Sequence, residues 1–147
     1  MASETIDLVA ISGAKGFVGK NLRKFLSQHN VQSISISRNH FNKNKFPSLK
    51  NATHFVHLAG IGSESTTQKF QNVNIETTKT VIELCKKNKI KNIIYLSGLG
   101  VSKNSRSSYF ISKFNAEQLI KNSGLNYTIF RPVSYTHLRA HETREDR

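Results

Sequence analysis

The stretch Ser12-Gly13-Ala14-Lys15-Gly16-Phe17-Val18-Gly19 decides the fold, because it follows directly on the apolar run from Ile6 to Ile11. Its Gly-x-x-Gly-x-x-Gly spacing is typical of a strand-to-helix turn that cradles the diphosphate of a dinucleotide. Gly13 would let the chain leave the strand, Gly16 would let the backbone approach phosphate oxygens, and Gly19 would let the helix pack closely on the sheet. The stretch therefore predicts a dinucleotide site.

The segment after the turn supports this interpretation, because apolar residues recur there with helical spacing. They are Phe17, Val18, Leu22, Phe25 and Leu26. Such a period indicates an amphipathic helix. Its first N–H groups and positive dipole end would receive the diphosphate. We expect cofactor contacts from Gly13, Lys15, Gly16, Phe17, Val18 and Gly19.

The second predicted strand ends at Arg38 rather than at a carboxylate. Sites that select NAD(H) usually place an acidic residue on the adenosine ribose about 20 residues past the glycines. Between Asp7 and Glu64 this chain has no Asp or Glu. A guanidinium suits a 2′-phosphate through bidentate hydrogen bonds, which favours NADP(H) over NAD(H). The alternative is that Arg38 is one of many solvated basic residues.

Strand-like and helix-like segments alternate along the chain, which predicts parallel βα units in an α/β fold. Strands are expected near Ile6–Ile11, Ser33–Ser37, His54–Ala59, Asn92–Ser97 and Asn126–Arg131. Helices are expected near Phe17–His29, Thr67–Asn88 and Ser108–Asn122, with Gly124 as a C-terminal stop. The polar segment from Asn39 to Asn51 lacks clear periodicity and predicts an abbreviated third unit that can lack its strand.

Further motifs follow the glycine turn in a fixed order. They are Val56-His57-Leu58-Ala59-Gly60, Asn74, Ile94-Tyr95-Leu96-Ser97-Gly98, Tyr109-x-x-x-Lys113 and Arg131-Pro132. In this order the chain from about Ile6 to Pro132 resembles the short-chain dehydrogenase/reductase superfamily. The similarity is to the extended and atypical branch of nucleotide-sugar epimerases, dehydratases and reductases. It implies a truncated Rossmann-type doubly wound parallel sheet and a nicotinamide cofactor.

The resemblance also implies the catalytic pair. A spacing of four places Tyr109 and Lys113 on one helical face. In the family pattern the tyrosine hydroxyl is the general acid/base toward a carbonyl or alcohol. The lysine binds the nicotinamide ribose and lowers the tyrosine pKa. The competing interpretation is a surface tyrosine beside a solvated lysine.

Other matched positions imply supporting roles. Leu58, Ala59 and Gly60 resemble the backbone that runs under the adenosine and diphosphate, although a buried strand end would look similar. Asn74 resembles the asparagine that steadies the backbone near the active site. His57 is expected to be a core histidine rather than a catalyst.

One position departs from the family pattern. Active extended members usually carry Ser or Thr directly after the position of Ser97, where it hydrogen-bonds the reacting oxygen, and this chain has Gly98 there. Ser97 would have to assume that role as the catalytic hydroxyl. The other candidates from the following loop are Ser102, Ser107 and Ser108.

Three functions follow from these observations. The first is an NAD(P)-binding oxidoreductase or nucleotide-sugar epimerase/dehydratase-like protein, of which this chain is the cofactor-binding part. The second is a non-catalytic NADP(H)-binding module for complex assembly or redox sensing, similar to the accessory NADPH-binding subunit of respiratory complex I. The third is a basic nucleic-acid-binding protein, which the net charge of +13 allows. The chain has no aromatic and basic ladder to support the third.

The end of the chain suggests a domain boundary. Val133 to Thr143 resembles the in-frame translation of the adapter of transposase-based sequencing libraries. We therefore expect an NAD(P)-binding domain over residues 1–132 and a non-native, unstructured tail over 133–147.

The remaining features are general. No apolar run approaches 18 residues and no signal peptide is evident, so cytoplasm is the expected location. The single cysteine, Cys85, is expected in the core. No metal ligands are assigned. By analogy with the superfamily, a homodimer through the long helix and the Tyr109 helix is possible.

Overall fold

The computed structural model describes residues 8–59, 71–98, 101, 103–105 and 107–132. Within these residues five strands form one parallel sheet in the order β2-β1-β3-β4-β5. The strands are β1 (Leu8–Ser12), β2 (Gln32–Ile36), β3 (His54–His57), β4 (Asn92–Leu96) and β5 (Asn126–Phe130). The expected Rossmann-type α/β fold is confirmed, with each strand boundary within two residues of its prediction where it can be compared.

Four α-helices connect the described strands. They are α1 (Phe17–Gln28), α2 (Arg38–Lys43), α3 (Thr77–Lys87) and α4 (Ser108–Lys121). A π-helical segment, Gln71–Glu76, leads into α3, where a continuous helix was predicted. Apolar periodicity does not distinguish the two helix types, because one inserted residue changes the hydrogen-bond register and leaves the composition unchanged. Residues 67–70 of that prediction lie outside the described residues.

The strand order places a switch point beside β1. The first connection leads from β1 to β2 on one side, and the next returns to β3 on the other side of β1. Ser12 at the end of β1 pairs in register with Ile36 and with His57. The carboxyl ends of these three strands therefore meet at one edge, where ligands bind in open α/β sheets.

The third unit is abbreviated as expected. Only the short helix α2 follows β2, and the described chain between α2 and β3 contains no strand. Leu49 and Ala52 from this polar segment are nevertheless buried and contribute to the main core. Sequence periodicity missed them, because isolated apolar residues in a loop have no repeat to reveal which side they face.

The two faces of the sheet carry different cores. Alternate residues of β1 point to opposite faces, so Val9 and Ile11 pack toward α1 while Ala10 belongs to the larger cluster with α3 and α4. Cys85 is fully buried in that larger cluster, as predicted, and burial raises the pKa of its thiol to about 12.

Apolar side chains remain exposed at two places. Phe17 and Phe25 of α1 belong to the predicted apolar stripe, yet both are more than half exposed. The Phe25 ring stacks on His29 of the same helix end, with 4.3 Å between the centroids. Tyr127 and Phe130 on the edge strand β5 are exposed as well.

A substitution at Gly19 tests how tightly the turn is packed. A Cβ atom there would collide with the backbone of Gly13 and Ala14, whereas one at Gly16 would meet only the Gly13 oxygen at 3.4 Å. We expect Gly19→Ala to lower the free energy of unfolding by about 1–3 kcal/mol, because backbone atoms cannot yield as a flexible side chain can. Gly16→Ala is the matched control in the same turn and should cost much less. Urea denaturation measures both, and equal losses would contradict the packing argument.

Candidate functional site

The glycine turn forms one wall of a cleft of about 560 Å³ at the switch point. Gly13 has φ +72°, and a Cβ atom there would lie 2.8 Å from the Leu58 carbonyl carbon and 2.9 Å from the Ala59 nitrogen. A side chain is therefore excluded both by backbone conformation and by space. Six of the predicted cofactor residues line the cleft: Gly13, Lys15, Gly16, Arg38, Leu58 and Ala59.

The start of α1 is suited to an anion. Gly16 is the N-cap residue and provides no side-chain cap, and the first turn contains no acidic residue. The helix dipole and the amide groups of this end therefore favour a diphosphate. Phe17 is exposed, Val18 half-buried and Gly19 buried at this end. Gly19 makes its close approach to the backbone of the turn itself, whereas the sequence interpretation assigned that approach to the sheet.

Arg38 lines the cleft as the first residue of α2. Ser37 immediately before it is held by His40, since the Ser37 N–H donates to His40 Nδ1 at 2.9 Å. This bond fixes the turn between β2 and α2 from which the Arg38 side chain extends. Arg38 thus occupies the position that the sequence predicted, at the end of β2 beside the cleft.

Sequence reasoning missed several residues that line the cleft. They are Ala14, Ser35, Ile36, Ser37, Phe41, Asn42, Val73, Glu76, Thr77 and Thr80. The residues from Val73 onward come from the segment before and within α3, which joins the cleft only through the tertiary fold. Glu76 carries a carboxylate, and Lys79 lies 3.4 Å from it in an exposed ion pair.

The predicted catalytic pair lies on α4 beside the end of β4. Lys113 is buried, and its Nζ atom donates a hydrogen bond to the Leu96 carbonyl oxygen at 3.0 Å. The same atom is 4.8 Å from the ring centroid of Tyr95 and 5.9 Å from that of Tyr109. The ammonium and the Tyr109 ring therefore share one side of the helix.

The surroundings of Lys113 shift its pKa. Burial lowers it from 10.5 to about 8, and the carboxylate of Glu117 partly opposes the shift. Burial, with the nearby Tyr109 and Glu117, raises the pKa of Tyr95 above its usual range, so Tyr95 stays neutral. Near neutral pH the site therefore holds a cationic lysine in an environment of low polarity.

The hydroxyl of Ser97 has a partner inside the protein. It donates to Glu117 Oε2 at 2.5 Å, and Arg131 binds the same carboxylate through Nε at 3.1 Å and Nη2 at 2.6 Å. Glu117 is fully buried, so the bidentate arginine compensates its charge. In this conformation the hydroxyl of Ser97 is directed to Glu117, a residue that sequence reasoning did not single out.

The other candidates for the missing hydroxyl are spread around the loop. Ser107 is the N-cap of α4, where its side chain accepts from the Phe110 N–H, and Ser108 is exposed at the first helical position. Ser102 lies outside the described residues. A Cβ atom at Gly98 would meet only side-chain atoms of Phe110 and Val101, both at 3.7 Å. A serine is thus sterically possible at this position.

Asn74 connects the two parts of the site. It is buried in the π-helical segment, and its Nδ2 donates to Ser112 Oγ on α4 at 2.8 Å. Gly60, predicted as a cofactor residue, lies outside the described residues. The structure thus gathers six of the predicted cofactor residues around the cleft, whereas Asn74, Ser97, Tyr109 and Lys113 lie outside its lining, toward the end of β4.

Two kinds of feature are absent from the described residues. These residues contain no helix long and apolar enough to cross a membrane. They also contain no group of three or more His, Cys, Asp or Glu side chains placed to hold a metal ion.

The family of the chain follows from comparison with known proteins. The sequence model of the NAD(P)H-binding family matches residues 47–145, which is more than half of the chain. The chain therefore belongs to the NAD(P)H-binding family, and a nicotinamide dinucleotide is its cofactor. No curated protein sequence matches it.

Solved structures share the fold. MoeE5 in complex with UDP-glucuronic acid and NAD gives a TM-score of 0.66 at 18% identity, over 82% of this chain and 52% of that chain. UDP-glucuronic acid 4-epimerase from Bacillus cereus in complex with NAD gives a TM-score of 0.67 at 20% sequence identity, over 86% of this chain and 56% of that chain. A short-chain dehydrogenase/reductase superfamily protein from Agrobacterium tumefaciens with bound NAD gives a TM-score of 0.67 at 15% sequence identity, over 84% of this chain and 48% of that chain.

The family model confirms the predicted NAD(P)-binding domain. The solved structures, which include a short-chain dehydrogenase/reductase superfamily protein and an epimerase, confirm the predicted fold. The chain spans about half the length of these structures.

The burial of Lys113 predicts a pH dependence of stability. Between pH 8 and 10 the unfolded chain keeps the lysine proton while the folded chain has released it, so Lys113 contributes a rise of the free energy of unfolding with pH. The raised pKa values of Cys85 and Tyr95 oppose this rise toward the upper end of that range. Lys113→Met should flatten this rise in urea denaturation across that range. Lys121→Met, exposed on the same helix, is the control and should retain the wild-type slope. A slope unchanged by Lys113→Met would show that the lysine is not buried as a cation.

Proposed function

We propose that this chain is the cofactor-binding part of an NADP(H)-dependent oxidoreductase or nucleotide-sugar epimerase/dehydratase-like enzyme. The observation that carries the proposal is the position of Tyr109 and Lys113. Both lie on α4 beside the end of β4, at the same carboxyl edge of the sheet as the glycine-turn cleft, although no described residue of α4 lines that cleft. A tyrosine beside a buried ammonium at that edge suits proton exchange with a carbonyl or alcohol.

The cleft fits a dinucleotide, because its glycine turn leaves space that side chains would fill. Gly13, Gly16 and the start of α1 would hold the diphosphate, with Leu58 and Ala59 as the floor. Bound there, the nicotinamide would supply hydride exchange. Lys113 would bind the ribose and Tyr109 would exchange the proton with the substrate oxygen. The ammonium favours the ionised phenol through its charge.

The substrate class is proposed from the structural neighbours. MoeE5 was solved with UDP-glucuronic acid or with UDP-glucose, each together with NAD. A nucleotide sugar is therefore our proposed substrate, with another small carbonyl or alcohol as the alternative. Most contacts to it would come from outside the described residues.

A preference for NADP(H) is proposed from Arg38. The guanidinium stands beside the cleft at the end of β2, and the sequence from Leu8 to Ala59 contains no Asp or Glu. Among the described residues that line the cleft, Glu76 carries a carboxylate, and it is paired with Lys79. The neighbours named above hold NAD, so the preference rests on this chain's own residue. A 2′-phosphate would complete the hydrogen bonds of the arginine.

Calorimetric titration of the full-length gene product with NADPH and NADH tests this preference. We expect NADPH to bind more tightly and Arg38→Asp to reverse the order, because a carboxylate repels the phosphate and accepts ribose hydroxyls. A shift of tenfold or more, about 1.4 kcal/mol, would be consistent with loss of a charged hydrogen bond. Arg23→Asp on α1 is the charge-matched control. Equal affinity of the wild type for both cofactors would remove the argument from Arg38.

A second candidate is a non-catalytic NADP(H)-binding module for complex assembly or redox sensing. Two observations favour it, namely the absence of a hydroxyl at Gly98 and the use of the Ser97 hydroxyl by Glu117. Such a module would bind the cofactor through the same cleft and would not convert a substrate.

Substitutions at Gly98 and Tyr109 separate the two candidates. For an enzyme, hydride transfer with a panel of nucleotide sugars should be abolished by Tyr109→Phe, while NADPH affinity stays unchanged. Gly98→Ser should increase the rate, because the side chain fits and would place a donor where the family pattern has one. Gly98→Ala adds the same carbon without the hydroxyl and is the control. Absence of turnover in both the wild type and Gly98→Ser would favour the module.

Three wider features remain proposals. We propose a cytoplasmic protein with its NAD(P)-binding domain in residues 1–132. A homodimer through α3 and α4 is proposed by analogy with the superfamily. The groove between these helices would be its surface, and Ile75, Ile82 and Leu119 line it among polar and charged residues.

A further inference from the structure

A chain of buried hydrogen bonds crosses the molecule beneath the cleft, with His57 at its centre. His57 ends β3 and is fully buried. Its Nδ1 lies 2.6 Å from Ser12 Oγ, and its Nε2 lies 3.0 Å from Thr78 Oγ1. The ring also stacks on Tyr95, with 5.2 Å between the centroids. Both ring nitrogens therefore have partners from different elements, β1 and α3.

The direction of each hydrogen bond follows from Thr78. Its hydroxyl donates to the Asn74 carbonyl oxygen at 2.6 Å, so it must accept from His57 Nε2–H. A neutral ring then leaves Nδ1 as an acceptor, and the Ser12 hydroxyl donates to it. One proton arrangement satisfies the whole chain. It requires the neutral Nε2–H tautomer, in agreement with burial, which together with the charge of Lys113 lowers the pKa of His57 to about 3.

The Ser12 end of the chain holds the floor of the cleft. With its hydrogen directed to His57, Ser12 Oγ turns its lone pairs toward the N–H groups of Leu58 at 3.1 Å and Ala59 at 3.2 Å. These are the backbone groups that pass closest to Gly13 and line the cleft. The rotamer of Ser12, and with it the side-chain support of the floor, therefore depends on the acceptor Nδ1. The Leu58 N–H also donates to the Ser12 carbonyl oxygen at 3.1 Å, so Ala59 is the group that depends on the Ser12 side chain most.

The other end reaches the helix that carries Tyr109. Asn74 Nδ2 donates to Ser112 Oγ at 2.8 Å, and the Ser112 hydroxyl donates to the Tyr109 carbonyl oxygen at 2.8 Å. Backbone and side-chain bonds thus connect the cleft floor, the start of α3 and the first turn of α4.

We propose that His57 is a positioning residue for dinucleotide binding, which, as the neutral Nε2–H tautomer, orients Ser12 and so holds the Leu58–Ala59 floor against the glycine turn. The inference rests on the dinucleotide site alone and is independent of the NADP(H) preference and of catalysis by Tyr109. It assigns a cofactor-binding task to a residue that the sequence placed in the core without a function.

Two substitutions at His57 each retain one of the two hydrogen bonds that the ring makes. The carbonyl oxygen of Asn can stand near the position of Nδ1, so His57→Asn keeps the acceptor for Ser12 and loses the bond to Thr78. The amide nitrogen of Gln can reach the position of Nε2, so His57→Gln keeps the bond to Thr78 and loses the acceptor for Ser12. Cys85→Ala, a buried change on α3 outside the chain of hydrogen bonds, is the control for lost stability.

Titration calorimetry with NADPH and NADH on the full-length gene product, beside urea denaturation, gives the test. All three variants should lose stability, but only His57→Gln should weaken cofactor binding, by about five- to tenfold for one lost hydrogen bond that orients the floor. His57→Asn should stay near the wild-type affinity. Equal weakening by Asn and Gln, or no weakening by Gln, would overturn the proposal.

Two further measurements keep the inference testable if a His57 variant does not fold. Ser12→Ala removes the side-chain acceptor of Leu58 and Ala59, leaves Leu58 its bond to the Ser12 carbonyl oxygen, and should weaken binding as His57→Gln does. Nitrogen-15 spectra of the wild type should show the neutral Nε2–H tautomer between pH 7 and pH 5, and an Nδ1–H or protonated ring would overturn the proposal. A wild type that binds neither cofactor, while the spectra show the expected tautomer, would locate the failure in the dinucleotide site itself.

Discussion

The close approach of the glycine turn to the backbone after β3 is the constraint on which the site depends. At Gly13 a side chain would strike Leu58 and Ala59, and at Gly19 it would strike the turn itself. Two backbone segments therefore meet without side chains between them, directly beyond the ends of β1 and β3. This contact leaves the cleft open to a ligand and directs the start of α1 at it. A floor so close to the turn also needs support from below, and Ser12 and His57 provide it.

Charge is handled differently at the two ends of the site. Around Arg38 and Lys15 the cleft is exposed and basic, which suits the phosphates of a dinucleotide. Beside β4 the charges are buried, and each has a partner. Lys113 donates to a backbone carbonyl, and Glu117 receives two hydrogen bonds from Arg131. Because β5 ends next to Arg131, that pair also fastens the last described strand to α4.

Some of the site could be predicted from local sequence alone. The glycine spacing, the alternation of strands and helices, and the Tyr109–Lys113 spacing all depend on short-range geometry that repeats with a fixed period. Strand ends were accordingly placed within two residues. The sequence did not predict the π-helical segment before α3 or the burial of Leu49, because neither produces a periodic pattern of apolar residues.

The sequence by itself determined the fold class, the glycine-turn cleft and the position of Arg38 at the end of β2, since these follow from backbone sterics and from strand order. Only the tertiary structure decided what the buried polar groups do. His57 lies 45 residues from Ser12, and Ser97 lies 20 residues from Glu117, so no local pattern pairs them. A buried polar atom must find its hydrogen-bond partner wherever the fold brings one, and for that reason the task of His57 becomes visible only in three dimensions.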